Sequence, residues 1–332
     1  MKKGFLLAAL AAVVACKPTE PVENKDKVVT GLITEDTYWY ADTAYEMAGK
    51  VVVEEGATLF IEAGTVIKSR DGQGSLSTAL IVAQGGKIEA VGTADDPIVF
   101  TSIYDNGTNL DESDNGLWGG IVLLGYAPIS ADATPAHIEG IPADDSYGAY
   151  GGGDTSDNSG VLKYISIRHA GTLLGDGNEL NGLTLGGVGS GTVIDNIEVV
   201  GNLDDGIEFF GGCVNASNLL VWAQGDDAFD IDQAYGGTIS NFVNIEGADS
   251  DHALEIDGPE GTYSDTFIME NGILLSTDSV EVHIRDGAEG VVSFEGAANV
   301  VADSGTNVTV TILQDVVMPD FSWTFTYSKG KL

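Results

Sequence analysis

One short pattern decides the fold: GLTL at 182–185, GIEF at 206–209, AFDI at 228–231, ALEI at 253–256 and EVHI at 281–284. The first apolar residues of successive copies lie 24, 22, 25 and 28 positions apart. Each copy alternates apolar and polar residues, which is typical of a strand that buries one face. The pattern therefore predicts a series of short strands that stack at a nearly constant interval.

A second apolar stretch lies between each pair of copies, at 194–199, 219–221, 239–245 and 268–273. Two or three short strands in about 25 residues make one coil of a parallel β-helix. A propeller blade needs four strands in about 40–45 residues, so the period is too short for that fold. The sequence predicts an all-β protein, a single parallel β-helix with turns of about 22–28 residues and with N- and C-terminal caps.

The rest of the chain predicts the domain layout. Residues 29–300 form the β-helix, with loops at 104–117 and 144–160, where Gly, Asp and Asn are frequent. The polar range 16–28 contains two prolines and predicts a flexible tether. Residues 301–332 are predicted to form a C-terminal β cap, because the end coils of a solenoid must hide an open sheet edge.

The first residues have the pattern of an export signal. A basic start precedes an apolar stretch at 5–14, and the small-residue segment VVAC ends at Cys16. The cysteine at the cleavage point resembles the lipobox of bacterial lipoproteins, whereas an ordinary secretory signal with a chance cysteine is the alternative. Residues 1–15 are thus predicted to be removed and Cys16 to be lipidated. Lys17 follows where an inner-membrane protein would have Asp, which favours the outer membrane of the cell envelope.

The charge of the chain limits its partners. It has 51 acidic and 14 basic residues, a formal net charge of −37. Nucleic acid is an unsuitable partner because phosphate binding needs clustered Lys and Arg. Cys213 is the one cysteine left after Cys16 is lipidated, so no intramolecular disulfide is expected.

Four stretches resemble a group of bacterial envelope β-helix proteins: TLFIEAGTVI at 58–67, GTADDPIVFTS at 92–102, WGGIVLLG at 118–125 and DDGIEFFGG at 204–212. The resemblance extends from about residue 29 to residue 332. It implies a right-handed, pectin-lyase-like β-helix in a lipid-anchored or secreted protein. It implies no particular activity.

The repeats also align their acidic residues. Counting back from the apolar positions places Asp205, Asp227 and His252 at equivalent points of successive coils. The outward strand positions, expected to face a ligand, are Thr184, Glu208, Asp230, Glu255 and His283. Strands in neighbouring coils are about 4.8 Å apart, where two unit charges repel by roughly 3.5 kcal/mol at an effective dielectric of 20. Such a column needs a cation, raised carboxyl pKa values or solvation to offset the repulsion.

Calcium is the candidate cofactor, because hard cations prefer several carboxylate and carbonyl oxygens. The predicted ligands are Asp204, Asp205, Asp226, Asp227, Asp249 and Asp251. The alternative is that these residues form turns by bonding to their own backbone. DESDNG at 111–116 resembles the start of an EF-hand loop, but Val122 stands at the twelfth position where a glutamate is needed.

An enzyme remains a second hypothesis. Asp205, Asp226, Asp227, His252 and Arg285 resemble the catalytic residues of polygalacturonase-type glycoside hydrolases in order and approximate spacing. The resemblance implies that Asp226 or Asp227 protonates the leaving oxygen while another acid activates water. The motifs depart from that family, because Asn-Thr-Asp is replaced by NLDD at 202–205 and Arg-x-Lys by RDG at 285–287. An acidic sugar would be repelled, so a neutral glycan is the expected substrate.

Aromatic residues give one further hypothesis. A sugar could stack on a surface made of Trp39, Tyr40, Trp118, Tyr126, Tyr147, Tyr150 and Trp222, although packing inside the core is the commoner role of such residues. We therefore expect an envelope lipoprotein that acts as an acidic binding or structural module. Its expected ligands are cations and either a glycan or an envelope protein. A lipid-anchored polysaccharide hydrolase or lyase is the alternative.

Overall fold

The computed structural model describes residues 26–142, 145–175 and 178–332. Strands of successive coils pair in parallel and in register along three walls. The predicted parallel β-helix is confirmed. The predicted signal peptide and lipidated Cys16 lie outside the described residues. The first strand begins at Asp26, inside the range predicted as a tether.

The first wall takes one strand, or half of a longer one, from each coil. Its members are the second halves of Asp26–Ile33 and Ala44–Val53, then Ala79–Val82, Gly120–Leu124, Leu183–Gly186, Ile207–Phe210, Phe229–Asp232, Leu254–Ile256, Val280–Ile284 and Ala298–Ala302. Neighbouring members are paired in parallel throughout.

The second and third walls are separate in the early coils and share long, bent strands later. The early strands are Thr37–Trp39, Thr58–Ile61 and Lys87–Val91 on the second wall, and Val66–Ser69 and Ile98–Ser102 on the third. The strands that follow are Gly160–Arg168, Val193–Val200, Asn215–Trp222, Thr238–Ile245, Phe267–Leu275, Glu289–Glu295 and Asn307–Ile312.

From Val193–Val200 to Phe267–Leu275, the bend in each long strand falls on one residue with a left-handed backbone. Asn196, Asn218, Asn241 and Asn271 have φ between 56° and 58°, a region that asparagine enters more readily than most residues. Their side chains stack as well. Asn241 Nδ2 donates to Asn218 Oδ1 at 3.1 Å, and Asn218 Nδ2 donates to Asp195 Oδ1 at 2.8 Å. The stacked amides hold the corner of each coil above the next.

The interior of the coil is filled by the inward side chains of all three walls. Phe209, Phe229, Phe242 and Phe294 are fully buried there, and the rings of Phe229 and Phe242 meet edge to face at 5.5 Å. The alternation seen in the sequence thus has its expected cause. Inward residues form a continuous hydrophobic core along the solenoid.

An excursion of residues 125–159 leaves the coil and covers the early part of the first wall. It contains the antiparallel strands Ala136–His137 and Ala149–Tyr150 and most of the predicted loop at 144–160, whose last residue begins the strand Gly160–Arg168. Ile129, Ile138, Ile141 and Tyr150 are buried on the outer side of that wall. They pack in one cluster with the outward side chains of Val52, Ile81, Val122 and Leu124. The outer face of the early wall is therefore a second apolar layer.

The C-terminal segment differs from the predicted β cap. Ala298–Ala302 and Asn307–Ile312 are the last strands, but residues 313–332 turn back along the side of the solenoid. Phe321 and Trp323 pack on the third wall against Leu220 and Val243. The reason is that these strand residues point outward and are apolar, so burying them is favourable.

The end of this segment is held by a buried glutamate. Glu198, fully buried, accepts hydrogen bonds from the backbone N–H groups of Phe325 and Thr326 at 3.1 and 2.7 Å. It also accepts bonds from the hydroxyl groups of Thr326 and Ser166. The short helix Phe325–Ser328 begins at this point.

Three short elements complete the described chain. They are the 3₁₀ turns Gly74–Leu76 and Ser146–Gly148 and the antiparallel pair Leu173–Gly175 with Asn178–Glu179. The predicted loop at 104–117 lies outside the strands, between Ile98–Ser102 and Gly120–Leu124. Within the described residues, no helix has the length and apolar content needed to cross a membrane.

Candidate functional site

The outward residues of the first wall form one continuous column. Strand register places Leu32, Val52, Ile81, Val122, Thr184, Glu208, Asp230, Glu255, His283 and Val301 in that order. The five positions predicted from the repeat, Thr184 to His283, are therefore neighbours on successive coils. Their order gives an acidic stretch of three carboxylates that ends in a histidine.

A second file runs beside this column, at the turn that precedes each strand. Asp205 Oδ1 accepts from the backbone N–H of Asp227 at 2.9 Å, and Asp227 Oδ1 accepts from that of His252 at 3.0 Å. Asp227 Oδ1 also lies 2.6 Å from His252 Nδ1. The three residues do align, as the sequence predicts. They do not lie on the exterior, because their exposed fractions are 8%, 1% and 6%.

The two files meet in a cluster of three acids, Asp205, Glu208 and Asp230. Each places a carboxylate oxygen within 4.8 Å of the other two. Asp205 and Glu208 are buried, and Glu208 and Asp230 are hydrogen-bonded to each other. Such a bond needs a proton on one carboxyl group. Among the described residues, no lysine or arginine forms an ion pair with any of the three.

Two buried polar atoms border this cluster without a hydrogen-bond partner in the described part of the chain. They are Asn181 Oδ1 and Thr184 Oγ1, on residues that are 1% exposed. The amide nitrogen of Asn181 donates to Glu208 Oε2, and Thr184 pairs in register with Glu208. Buried polar atoms without a partner are rare and call for an explanation such as a bound ion.

The carboxyl groups of the cluster are hard to ionise. Burial is the main cause that raises the pKa values of Asp205, Glu208 and Asp230 well above those of free side chains. The charge of Asp230 is the next cause for the other two, while for Asp230 it is that of Asp232. A bound cation would reverse this effect by stabilising the ionised forms.

The neighbouring acids follow the same trend. Burial raises the pKa of Asp232 to about 7 and that of Asp257 to about 6. Burial and a hydrogen bond with Glu255 raise the pKa of Asp227. Asp232 and Asp257 were not among the predicted site residues. They follow Asp230 and Glu255 by two positions, so strand periodicity places them on the same face and could have identified them.

The six predicted calcium ligands separate into two groups. Asp204, Asp226, Asp249 and Asp251 line a shallow cavity of about 530 Å³ on the turn side of the first wall. Asp205 and Asp227 lie beneath it in the buried file. Asp204, Asp205 and Asp226 bring oxygens within 4.8 Å of one another, so this part of the predicted set does converge.

The residues of the enzyme hypothesis are brought near one another but are poorly placed for a substrate. Asp227 is 1% exposed and is hydrogen-bonded to His252, so neither oxygen is open to a sugar in this conformation. Asp226 is exposed beside it. Arg285 pairs with Glu255 and donates to His283 Nδ1 at 3.0 Å. The guanidinium group is therefore already engaged by the column.

The aromatic residues do not form one sugar-stacking surface. Trp39, Trp118, Tyr150 and Trp222 are at most 2% exposed, because they pack in the core or under covering segments. Tyr40, which is 52% exposed, belongs instead to a strip with Tyr38 and Phe60. The rings of Tyr38 and Phe60 stack with centroids 4.6 Å apart. Neither of these two was predicted, and their strip lies on the second wall, away from the acids.

A family model for the pectate-lyase-like β-helix domain matches residues 31–314. The chain belongs to this family. The match covers most of the sequence and agrees with the three parallel walls. No curated protein matches the chain in a sequence comparison.

Proposed function

We propose that this member of the pectate-lyase-like β-helix family is a calcium-binding module whose ion lies between Asp205, Glu208 and Asp230. The observation that supports the proposal is the convergence of three carboxylates in a largely buried place without a basic partner. The cost of burying like charges is several kcal/mol, and a cation is the simplest means to offset it.

The donor set favours calcium over a softer metal. Calcium takes six to eight oxygen ligands, and this cluster offers the three carboxylates together with Asn181 Oδ1 and Thr184 Oγ1. Water would complete the coordination. A threonine hydroxyl and an amide oxygen are weak ligands for transition metals, but they suit a hard cation. Asn181 would have to turn its amide, which now donates to Glu208, for Oδ1 to reach the ion.

Melting temperature tests this proposal directly. The full chain is stripped of metal with a chelator and then melted with and without calcium. A calcium concentration of 100 times Kd stabilises a one-site protein by about 2.7 kcal/mol, so the melting temperature should rise measurably. The same melting temperature with chelator and with calcium would refute calcium binding.

Two variants locate the ion. Glu208→Gln and Asp230→Asn should each remove most of the calcium response, because each replaces a negative ligand by a neutral one of the same shape. Glu270→Gln is the matched control, since Glu270 is an exposed acid on the second wall. If Glu208→Gln keeps the full response, the ion is bound elsewhere.

The cellular setting of the module is part of the proposal. We infer an outer-membrane lipoprotein of the cell envelope, attached to the membrane by a lipid on Cys16, with a glycan or an envelope protein as its partner. The signal-like sequence of the first sixteen residues supports this location. A Cys16→Ala variant should lose acyl labelling in the producing bacterium, and labelling that persists would refute the anchor.

A lipid-anchored polysaccharide hydrolase or lyase is the second candidate. Membership of the pectate-lyase-like family and the strip of Phe60 with the exposed Tyr38 and Tyr40 favour a carbohydrate ligand. Incubation with a panel of neutral glycans should then release reducing ends, and Asp227→Asn should abolish the release. Absence of products from every glycan leaves the binding module as the function.

A further inference from the structure

We propose a second metal site, of a different chemical class, at the later end of the same column. His252, Glu281 and His283 would bind a first-row transition metal such as Zn²⁺. One ring nitrogen from each histidine and one Glu281 oxygen lie within 4.8 Å of one another. The imidazole centroids are 3.8 Å apart, and His283 Nε2 is 3.1 Å from Glu281 Oε2. Two ligands of a tetrahedral zinc ion are separated by about 3.3 Å, which is close to this second distance.

His252 is already oriented as a metal ligand. Its Nδ1 lies 2.6 Å from Asp227 Oδ1, so Asp227 fixes the ring and leaves Nε2 as the coordinating atom. Zinc-binding histidines commonly have such a carboxylate on the other nitrogen, which sets the tautomer and increases ligand basicity. Asp251 Oδ1 is 3.7 Å from Nε2 and could supply a fourth ligand.

The surroundings allow a divalent cation to enter and remain. The Glu281 and Asp251 side chains are 47% and 64% exposed, so the ion can arrive from solvent. Asp227 and Glu255 add two further carboxyl groups on the inner side, against the single positive charge of Arg285. The local charge thus remains negative, and a dication is not repelled overall. Arg285 donates to His283 Nδ1, which leaves the proton of the neutral ring on Nε2, so metal binding at Nε2 moves that proton to Nδ1 and replaces this hydrogen bond.

The two sites on this column select different ions. Imidazole nitrogens suit zinc, whereas calcium takes oxygen ligands almost exclusively. The transition-metal site shares no residue with Asp205, Glu208 and Asp230. It therefore does not rest on calcium binding, and either site can fail without the other.

Zinc titration of the full chain in excess calcium tests the inference. A chromophoric indicator that competes for Zn²⁺ should report one zinc bound per chain, at an affinity that calcium leaves unchanged. His283→Gln should weaken zinc binding by about 100-fold, because it removes a nitrogen ligand. Co²⁺ added in place of zinc should give a visible absorption spectrum that this variant lacks.

Two controls separate this site from others. His137→Gln should keep wild-type affinity, since His137 is in the excursion, where its ring nitrogens bond to the carbonyl groups of Ile138 and Asp145. Glu208→Gln should also keep zinc binding while it loses the calcium response. No zinc binding by the wild-type chain, equal affinity in His283→Gln, or loss of zinc binding in Glu208→Gln would each overturn the proposal.

Discussion

The first wall has two halves with the same backbone and opposite chemistry. In the early half the outward column is Val52, Ile81 and Val122, each at most 1% exposed beneath the excursion of residues 125–159. In the later half the same column holds Glu208, Asp230, Glu255 and His283. Thr184 stands at the boundary. The apolar residues of the first half stabilise the fold, because the excursion removes their surface from water.

Stability does not account for the second half. Side chains of like charge on neighbouring coils repel one another, and burial increases that repulsion. The same register could have continued with apolar residues under a longer excursion. The apolar half thus holds the scaffold, while the acidic half needs a different explanation, which the proposed ion supplies.

The largest effect is expected where a charge enters the covered half. Val122→Asp would place a carboxylate in the apolar layer, fully buried and without a basic partner among the described residues. We expect the free energy of unfolding to fall by about 3–5 kcal/mol, because an uncompensated buried charge is strongly destabilising. Chemical denaturation at neutral pH measures this change.

The control for this substitution lies on another wall. Val66 is 43% exposed, so Val66→Asp should change the free energy of unfolding by less than about 0.5 kcal/mol. A similar loss in both variants would mean that β-strand propensity, and not burial under the excursion, explains the effect. The contrast between the two halves would then lose its energetic basis.

A buried acid that accepts four hydrogen bonds should behave differently from a buried acid that lies beside other acids. Glu198 accepts four hydrogen bonds, two of them from the backbone of the C-terminal segment. Glu198→Gln should cost about 2–3 kcal/mol, because an amide cannot accept all of these bonds and one donor is left unpaired. Glu208→Gln should instead stabilise the calcium-free protein.

Chemical denaturation in chelator should give a lower free energy of unfolding for Glu198→Gln and a higher one for Glu208→Gln. Limited proteolysis adds a specific test, since Glu198→Gln should expose residues 321–332 to cleavage while Glu208→Gln leaves them protected. Destabilisation of the calcium-free protein by Glu208→Gln would contradict the claim that the acidic cluster is unfavourable without an ion.

The acidic half should also make stability depend on pH and calcium together. A carboxyl group whose pKa is higher in the folded state binds its proton more tightly there, so its contribution is present at low pH and is lost as pH rises. Unfolded Asp titrates near pH 4, and Asp232 titrates at about 7 in the folded chain. The calcium-free protein should therefore lose stability from about pH 4 to 7 through Asp232, and the raised pKa values of Asp205, Glu208 and Asp230 act in the same direction. The lowered pKa of Asp195 affects the free energy of unfolding only below this pH range.

Calcium should reverse that loss. The increase in unfolding free energy on adding calcium should be larger at pH 8 than at pH 5 by roughly 2 kcal/mol, the equivalent of one to two pKa units. Denaturation curves at both pH values, with chelator and with calcium, give this difference. A larger calcium effect at pH 5 would contradict ion binding by these carboxyl groups.

Sequence periodicity was sufficient to predict which residues form the column, but not which residues beside it are buried. The alternation of two residues per strand repeat placed Glu208, Asp230 and Glu255 on one face, and the same rule would have added Asp232 and Asp257. It could not show that Asp205 and Asp227 are buried, because burial depends on turns and loops from other coils. Those contacts have no local signature in the sequence.

The sequence also predicts that the third wall is covered, but not which segment covers it. LLVW at 219–222 is a run of consecutive apolar residues, and such a run indicates a strand that is covered on both faces. It predicts that something lies over Leu220, but not that the covering residues are Phe321 and Trp323, about 100 positions later. Which segment covers a wall is decided by tertiary packing.

The smallest effect is expected at the loop that resembles an EF-hand. Asp111 accepts from the backbone N–H and the hydroxyl of Ser113, and these bonds lower its pKa. Its exposed carboxylate is thus stabilised without a cation, unlike those of the acidic half. The twelfth position is Val122, which is buried in the apolar half and cannot supply a ligand.

Asp111→Asn should leave the calcium-dependent rise in melting temperature unchanged, with Asp230→Asn measured beside it. Loss of the rise in Asp111→Asn alone would move the ion from the wall to this loop, and the acidic column would then need another explanation.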